Sequence, residues 1–265
     1  MLRSLFCLLL LLPAKAIACE GQVACALGAR SYHVLPPDGW DGQTSLPVLL
    51  HFHGWKRQGD LVVKHDRIAS ATRKRGVLLL APNGAARTWD FRRADTPDVA
   101  FAAAVIQDAA KRYPIDRERI YVSGYSYGSA MAWRYVCQNG NDVAALLAVA
   151  GSLPQDETCP QKPAQVRHVH GLTDNVMGFP MGPEGDVTHP VALWREAYEC
   201  KGAAAVSEWD ITENDQFQRY EWGGKPFCAK GGSVILDLHS RGHFIPRGWI
   251  ARQLDQLLGL PPSFP

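Results

Sequence analysis

The chain has 265 residues, with 28 Lys plus Arg against 26 Asp plus Glu and 46% apolar side chains. That length suits one large domain with a full core, and the near balance of charge argues against a polyanionic partner such as nucleic acid. A charged fraction of 20%, with no internal repeat and no low-complexity tract, excludes a disordered or fibrous chain.

Residues 1–18 stand apart. Arg3 gives a positive start, Leu5 to Leu12 is an almost unbroken apolar run, Pro13 ends it, and Ala16-Ile17-Ala18 supplies a small-x-small site. This pattern reads as a secretory signal peptide cut before Cys19, which leaves residues 19–265 as a single domain. The apolar run is too short to span a bilayer as a mature helix, so no membrane span is expected and the destination is secreted or periplasmic. Cys19 directly after the cut offers a second reading, an N-terminal lipid anchor, although Ala16 stands where such sites usually carry Leu.

Loss of Arg3 and Lys15 lowers Lys plus Arg from 28 to 26, equal to Asp plus Glu. Cys7 leaves too, so 7 cysteines become 6: Cys19, Cys25, Cys137, Cys159, Cys200 and Cys228. An even number in an exported chain reads as disulfides. Proximity favours Cys19–Cys25, Cys137–Cys159 and Cys200–Cys228, with other pairings open. No close Cys-x-x-Cys pair exists, so no zinc or other metal site is expected.

Leu46 to Phe52 is the first strand, ended by Gly54. Val62 to Arg75 reads as a helix, and Val77 to Ala81 as a short, wholly apolar strand punctuated by Pro82-Asn83-Gly84. Thr96-Pro97-Asp98 starts a helix: Thr96 can cap free amides and Pro97 fits the first helical position. That helix runs to Tyr113, before Pro114. A strand at Arg119 to Val122, a helix from Ser126 to Cys137, and strands at Ala144 to Ala150 and Val166 to Val169 follow. A helix at Val191 to Tyr198, a strand at Val234 to Leu238 and an amphipathic helix at Trp249 to Leu258 complete the series. Short apolar strands alternating with helices predict an α/β fold whose mostly parallel central sheet is flanked by helices. Ligands in such sheets bind beyond the carboxyl ends of the strands.

One such end carries Gly124-Tyr125-Ser126-Tyr127-Gly128, a G-x-S-x-G pentapeptide between a strand and a helix. In that context it predicts a nucleophile elbow, a turn tight enough to require glycine on either side of an exposed serine. The serine needs a base, and the base needs an orienting carboxylate, in the chain order Ser, acid, His. Asp174 follows the strand at Val166 to Val169 and is the expected acid; Asp186 and Asp215 are rivals without so clear a strand before them. His243 lies in the loop after the strand at Val234 to Leu238 and is the expected base. His239, the rival, continues the strand, and His189 is the remaining histidine after Asp174.

An oxyanion needs two preorganised amides. The Tyr127 amide, just after the nucleophile, is one. The loop His51-Phe52-His53-Gly54-Trp55 supplies the other, assigned to Trp55 with Gly54 as the alternative. His51 and His53 read as structural histidines, not metal ligands. Lys56 and Arg57 could draw an acidic substrate, though a solvated basic turn is the plainer reading.

With these motifs in hand, the chain resembles the secreted α/β-hydrolase esterases that include polyhydroxybutyrate depolymerases and feruloyl esterases. The resemblance runs through Arg30-Ser31-Tyr32, His53-Gly54, Asp98 to Phe101, Asp116 to Tyr121, Gly124 to Gly128, His170-Gly171 with Asp174, and Gly242-His243 with Pro246. It implies the α/β-hydrolase fold, a Ser126–Asp174–His243 triad, the pairs Cys137–Cys159 and Cys200–Cys228, and no cofactor. It also implies a small-molecule or oligomeric ester substrate, of 3-hydroxyalkanoate or feruloyl and other aryl type. The sequence departs from the family at Tyr127, Ser129, Trp55-Lys56-Arg57 and Ile245-Pro246-Arg247, which bears on the substrate and leaves the mechanism intact. An amidase or peptidase of the same fold, and a non-catalytic surface binding lipoprotein, are the competing readings.

Overall fold

A computed structural model describes residues 19–155, 157–182, 185–186, 188–212, 216–224 and 227–263. The expected signal peptide at 1–18 and the rival acid Asp215 lie outside the described residues, as does the side chain of Asp186.

In chain order the elements are β1 (Cys25–Leu27), β2 (Arg30–Leu35), β3 (Leu46–Phe52), α1 (Gly59–Val62), α2 (Asp66–Arg73), β4 (Leu78–Pro82), α3 (Pro97–Ala109), β5 (Ile115–Tyr125), α4 (Tyr127–Asn139), β6 (Ala145–Val149) and β7 (Gln165–Gly171). Then come the short strands β8 (Met181–Gly182) and β9 (Gly185–Asp186), α5 (His189–Ala197), β10 (Ala205–Asp210), β11 (Gln216–Gly223), β12 (Ser233–His239) and α6 (Trp249–Leu258). Ten strands form one sheet in the order β1-β2-β4-β3-β5-β6-β7-β12-β11-β10. The six from β4 to β12 are parallel, and each edge is completed by antiparallel strands.

Both faces of the parallel middle are covered, which is why β3, β4 and β6 bury every residue. Strand alternation sorts their side chains into two cores. Val48, Leu50, Leu80 and Val122 face one, with Val105 of α3, Met131 of α4 and Trp194 of α5. Leu49, Leu79, Tyr121 and Leu147 face the other, with Ile68 of α2 and Leu254 of α6. Each large side chain so buried stabilises the fold by about 1.5–3 kcal/mol relative to exposure. The Thr96 hydroxyl caps α3 by accepting from the Asp98 amide at 3.3 Å.

The helix expected over 62–75 is α2, which starts only at Asp66 after the extended backbone of His65; Val62 belongs instead to the preceding short α1. The strand expected at 119–122 runs from 115 to 125, because Ile115 pairs with Leu46 and Gly124 with Phe52. The edge strands β1, β2, β10 and β11 were not expected, since their polar residues hide the alternation.

All three favoured disulfides are present: Cys19–Cys25, Cys137–Cys159 and Cys200–Cys228, with sequence separations of 6, 22 and 28. In the structure the Cys19 sulfur is bonded to that of Cys25. Among the described residues no helix is long and apolar enough to cross a membrane.

Candidate active site

Ser126 stands between β5 and α4 with φ 57° and ψ −124°, a left-handed backbone that costs a non-glycine residue about 1–3 kcal/mol. Its neighbours make that turn sterically possible. A Cβ on Gly124 would lie 2.0 Å from the Gly128 carbonyl oxygen, and one on Gly128 would lie 2.0 Å from that of Phe52. The Ser126 amide donates to the Val149 carbonyl at 3.0 Å, pinning the elbow to β6. The result is a serine held at the amino end of a 13-residue helix, where free amides and the helix dipole favour negative charge.

The acid and the base come from adjacent strands. β7 and β12 pair in parallel, with His239 opposite Gly171, so the loops that follow them emerge side by side. Three bonds tie those loops: Leu172 amide to His239 carbonyl at 2.8 Å, Thr173 amide to Arg241 carbonyl at 3.3 Å, and Thr173 hydroxyl to Ser240 carbonyl at 3.1 Å. This brings Asp174 and His243 together. His243 Nδ1 lies 2.7 Å from Asp174 Oδ2, and His243 Nε2 lies 2.9 Å from Ser126 Oγ. An ionised carboxylate only accepts, so Nδ1 carries the proton and Nε2 is free to accept from the serine hydroxyl. Tyr125 adds a clamp: its hydroxyl donates to the His243 carbonyl at 3.0 Å, with the two rings 4.9 Å apart. The same burial, with Asp174 nearby, pushes the Tyr125 phenol up to about 12, so it stays a donor.

Asp174 is buried with all its lone pairs in use. Oδ1 accepts from the Val176 and Met177 amides at 2.9 and 2.8 Å, and Oδ2 faces His170 Nε2 at 3.4 Å as well as His243. Burial works against its charge, but the hydrogen bonds from His170, His243 and the two amides outweigh it and hold the carboxyl well below the ordinary carboxylate range. His170 Nε2 also meets the Met177 carbonyl at 2.5 Å, so that nitrogen bears the proton. His170 Nδ1 must then accept from His168 Nε2, 3.2 Å away. The tautomers of two buried histidines are thereby fixed behind Asp174. In the sequence His170 stands out only within the resemblance motif His170-Gly171 with Asp174, with no role of its own; its i,i+4 spacing to Asp174 was the available signal.

The rivals do not reach the serine. His239 is buried, accepts from the Arg241 amide at 3.2 Å, and meets Phe217 and Phe244 edge-on. His189 starts α5.

The two expected oxyanion donors sit on opposite sides of Ser126 in sequence but close in space. A Cβ built on Gly54 lies 3.7 Å from the Ser126 Cβ, and the Trp55 and Tyr127 rings are 6.3 Å apart. His53 sets the Gly54–Trp55 peptide. Its Nε2 accepts from the Gly84 amide at 3.0 Å, so Nδ1 is the donor, 2.8 Å from the Gly54 carbonyl. That carbonyl also accepts from the Arg57 amide at 3.2 Å, and a planar peptide then presents its Trp55 N–H on the opposite side. His51 is a buried partner of the Ser123 hydroxyl at 3.1 Å. Burial draws the His51 and His53 imidazoles down to about 3 and about 4, so both are neutral near pH 7. Among the described residues no group of three or more His, Cys, Asp or Glu could hold a metal ion.

Similar folds occur among solved structures. An acetyl xylan esterase from Aspergillus awamori superposes with a TM-score of 0.68 over 87% of this chain and 94% of that one, at 12% identity. The chain has the α/β-hydrolase fold. Two relatives place this hydrolase fold among sequences of known proteins. It is 27% identical, over 81% of its length, to the bifunctional acetylxylan esterase/xylanase XynS20E of Neocallimastix patriciarum, and spans 31% of that relative's length. It is 25% identical, over 82% of its length, to feruloyl esterase C of Emericella nidulans, and spans 73% of that protein. No protein-family model matches the chain.

Proposed function

We propose that this hydrolase is an exported serine carboxylic ester hydrolase acting through an acyl-enzyme. One observation carries the reading: Ser126 Oγ at 2.9 Å from His243 Nε2, with His243 Nδ1 at 2.7 Å from a buried, ionised Asp174. The similarity to acetylxylan and feruloyl esterases supports the ester as substrate, and the three disulfides support an oxidising compartment.

In the proposed cycle Ser126 Oγ bonds to the ester carbonyl carbon while its proton passes to His243 Nε2. The carbonyl oxygen becomes an oxyanion between the Tyr127 and Trp55 amides. The tetrahedral adduct collapses as the bond to the alcohol oxygen breaks, and His243 returns the proton to that leaving alcohol. Water then attacks the acyl-enzyme, giving its proton to His243. The carboxylic acid departs as Ser126 regains its proton. Asp174 keeps His243 in the productive tautomer and stabilises the imidazolium.

Short 3-hydroxyalkanoate esters and aryl esters of feruloyl type are the proposed substrates. An indole at Trp55, 55% exposed and beside Tyr127, suits an aryl acid. The test is labelling. A fluorophosphonate should add to Ser126 alone, read by peptide mass, and should abolish p-nitrophenyl acetate hydrolysis in step. Turnover that survives complete labelling would overturn the reading.

A further inference from the structure

We propose that a pocket beside Tyr125 is a carboxylate-binding subsite, and that the ester cleaved here carries a second, ionised carboxyl group. This rests on the esterase reading above and adds the charge of the substrate to it. The pocket has a volume of about 230 Å³. It lies between the loop after β3, the α1–α2 segment and the loop after β12, with Gly54 and Tyr125 in its wall. Those two residues also flank Ser126, so a group seated in the pocket is joined to the scissile ester by a short stretch of chain.

Val62, Ile68 and Ile245 give the walls an apolar part, and two guanidinium groups line them as well, Arg57 and Arg67. Arg67 donates to the Ile245 carbonyl and lies 5.5 Å from the Phe244 ring centroid, which anchors it and leaves further N–H groups free. Neither arginine pairs with a carboxylate among the described residues. The acids on the neighbouring helices do not line the pocket: Asp60 faces Lys64 at 3.9 Å, and Asp66 is exposed. Three histidines complete the lining. His51 and His53 are neutral near pH 7, and burial together with Arg67 and Arg57 pulls His65 downward. Among the lining groups the charge is therefore that of the two arginines, while Asp60 and Asp66 act from outside the pocket on His53 and His65.

A guanidinium presents a planar fork that a carboxylate fills with two parallel hydrogen bonds. The apolar part of the walls favours an organic anion over free phosphate, because it would bury a carbon chain and leave phosphate oxygens without partners. Lys56, by contrast, lies over the Trp55 ring, 4.2 Å from its centroid, and does not line the pocket.

The experiment compares p-nitrophenyl hemiesters of succinate, glutarate and adipate with the same compounds methylated at the free carboxyl. The wild type should favour at least one free acid over its neutral counterpart by about tenfold or more in kcat/KM. Arg57→Ala and Arg67→Met should each reduce that ratio severalfold, and Arg57→Lys should restore part of it. Binding is read independently by titrating the Ser126→Ala protein with monomethyl glutarate and dimethyl glutarate; the monoanion should bind more tightly. If neutral esters are cleaved but no free acid is preferred, or if the ratio is unmoved in both arginine variants, the subsite is wrong and the esterase reading survives. If no ester in the series is cleaved at all while the monoanion still binds through Arg57, the esterase reading fails and the anion site stands.

Discussion

β3, β4 and β6 bury every residue they contain, whereas β10, at the sheet edge, exposes five of its six and β11 alternates. In the middle, helices cover both faces, so buried polar groups are few, and one within a strand, Arg167 of β7, is met by Gln253 and Gln256. The unusual features collect at the strand ends. Ser126 and Ala150, which follow β5 and β6, both have positive φ, and the buried His51, His170 and Asp174 lie at or beyond the carboxyl ends of parallel strands. The edges are held in another way. β11 meets β12 through a buried ion pair, Arg219 with Asp237 at 2.8 Å, which also accepts from the Trp209 and Trp249 indoles. The Cys200–Cys228 disulfide ties the ends of the segment that contains β10 and β11. Strain and polarity are thus concentrated where chemistry is proposed, and covalent and ionic fastening where the sheet would otherwise fray.

If that division is right, changes in the middle should act chiefly on rate, and changes at the edge chiefly on stability. The largest effect is expected from Ser126→Ala: kcat on p-nitrophenyl butyrate should fall by several powers of ten, up to about a million-fold, with the thermal midpoint little changed. A large loss of midpoint would break the comparison. Asp174→Asn comes next, with a fall in kcat of roughly ten-thousand-fold from the wrong imidazole tautomer.

The same Asp174 variant sharpens the point through pH. Asp174 titrates below its ordinary value in the folded protein, so its charge stabilises the fold above the unfolded Asp pKa of about 3.9. That contribution is lost as pH falls from there through the folded value. Urea unfolding should therefore show the wild-type advantage over Asp174→Asn at pH 7, shrinking below about pH 4.

At the edge, joint replacement of Cys200 and Cys228 by Ser should cost about 2–4 kcal/mol of stability in denaturant unfolding, with kcat/KM on a neutral ester retained. The smallest effect tests the border between the two regions. His170→Ala removes one donor from a buried carboxylate, worth about 1.5–3 kcal/mol, and should lower kcat by roughly ten- to a hundredfold. It should also shift the acid limb of the pH–rate profile, which a purely structural loss would not do.

Much of the middle could be read in advance. An apolar run from Leu46 to Leu50, or one of five residues at Ala145–Val149, leaves little but a strand covered on both faces. The loop-after-strand rule separates His243 from His239 because the two differ in position relative to β12, and it is His243 that lies beside Ser126. The edges resisted for a physical reason. β11 would alternate cleanly in sequence, but one of its inward positions is Arg219, and the β12 position that receives it is Asp237. A buried pair looks like two exposed residues until its partners are brought together. His170 was hidden likewise, since only the folded loop at 174–177 turns Asp174 back toward it.

The sequence by itself determined the central strands, most of the helices and the glycine-flanked elbow, and favoured the cysteine pairs, because each depends on local sterics or on short separations along the chain. Tertiary structure alone decided which loops meet, which tautomers the buried imidazoles take, and that two arginines line one pocket beside Tyr125. Those depend on the order of strands across the sheet and on charges brought together from distant segments, and no local pattern encodes either.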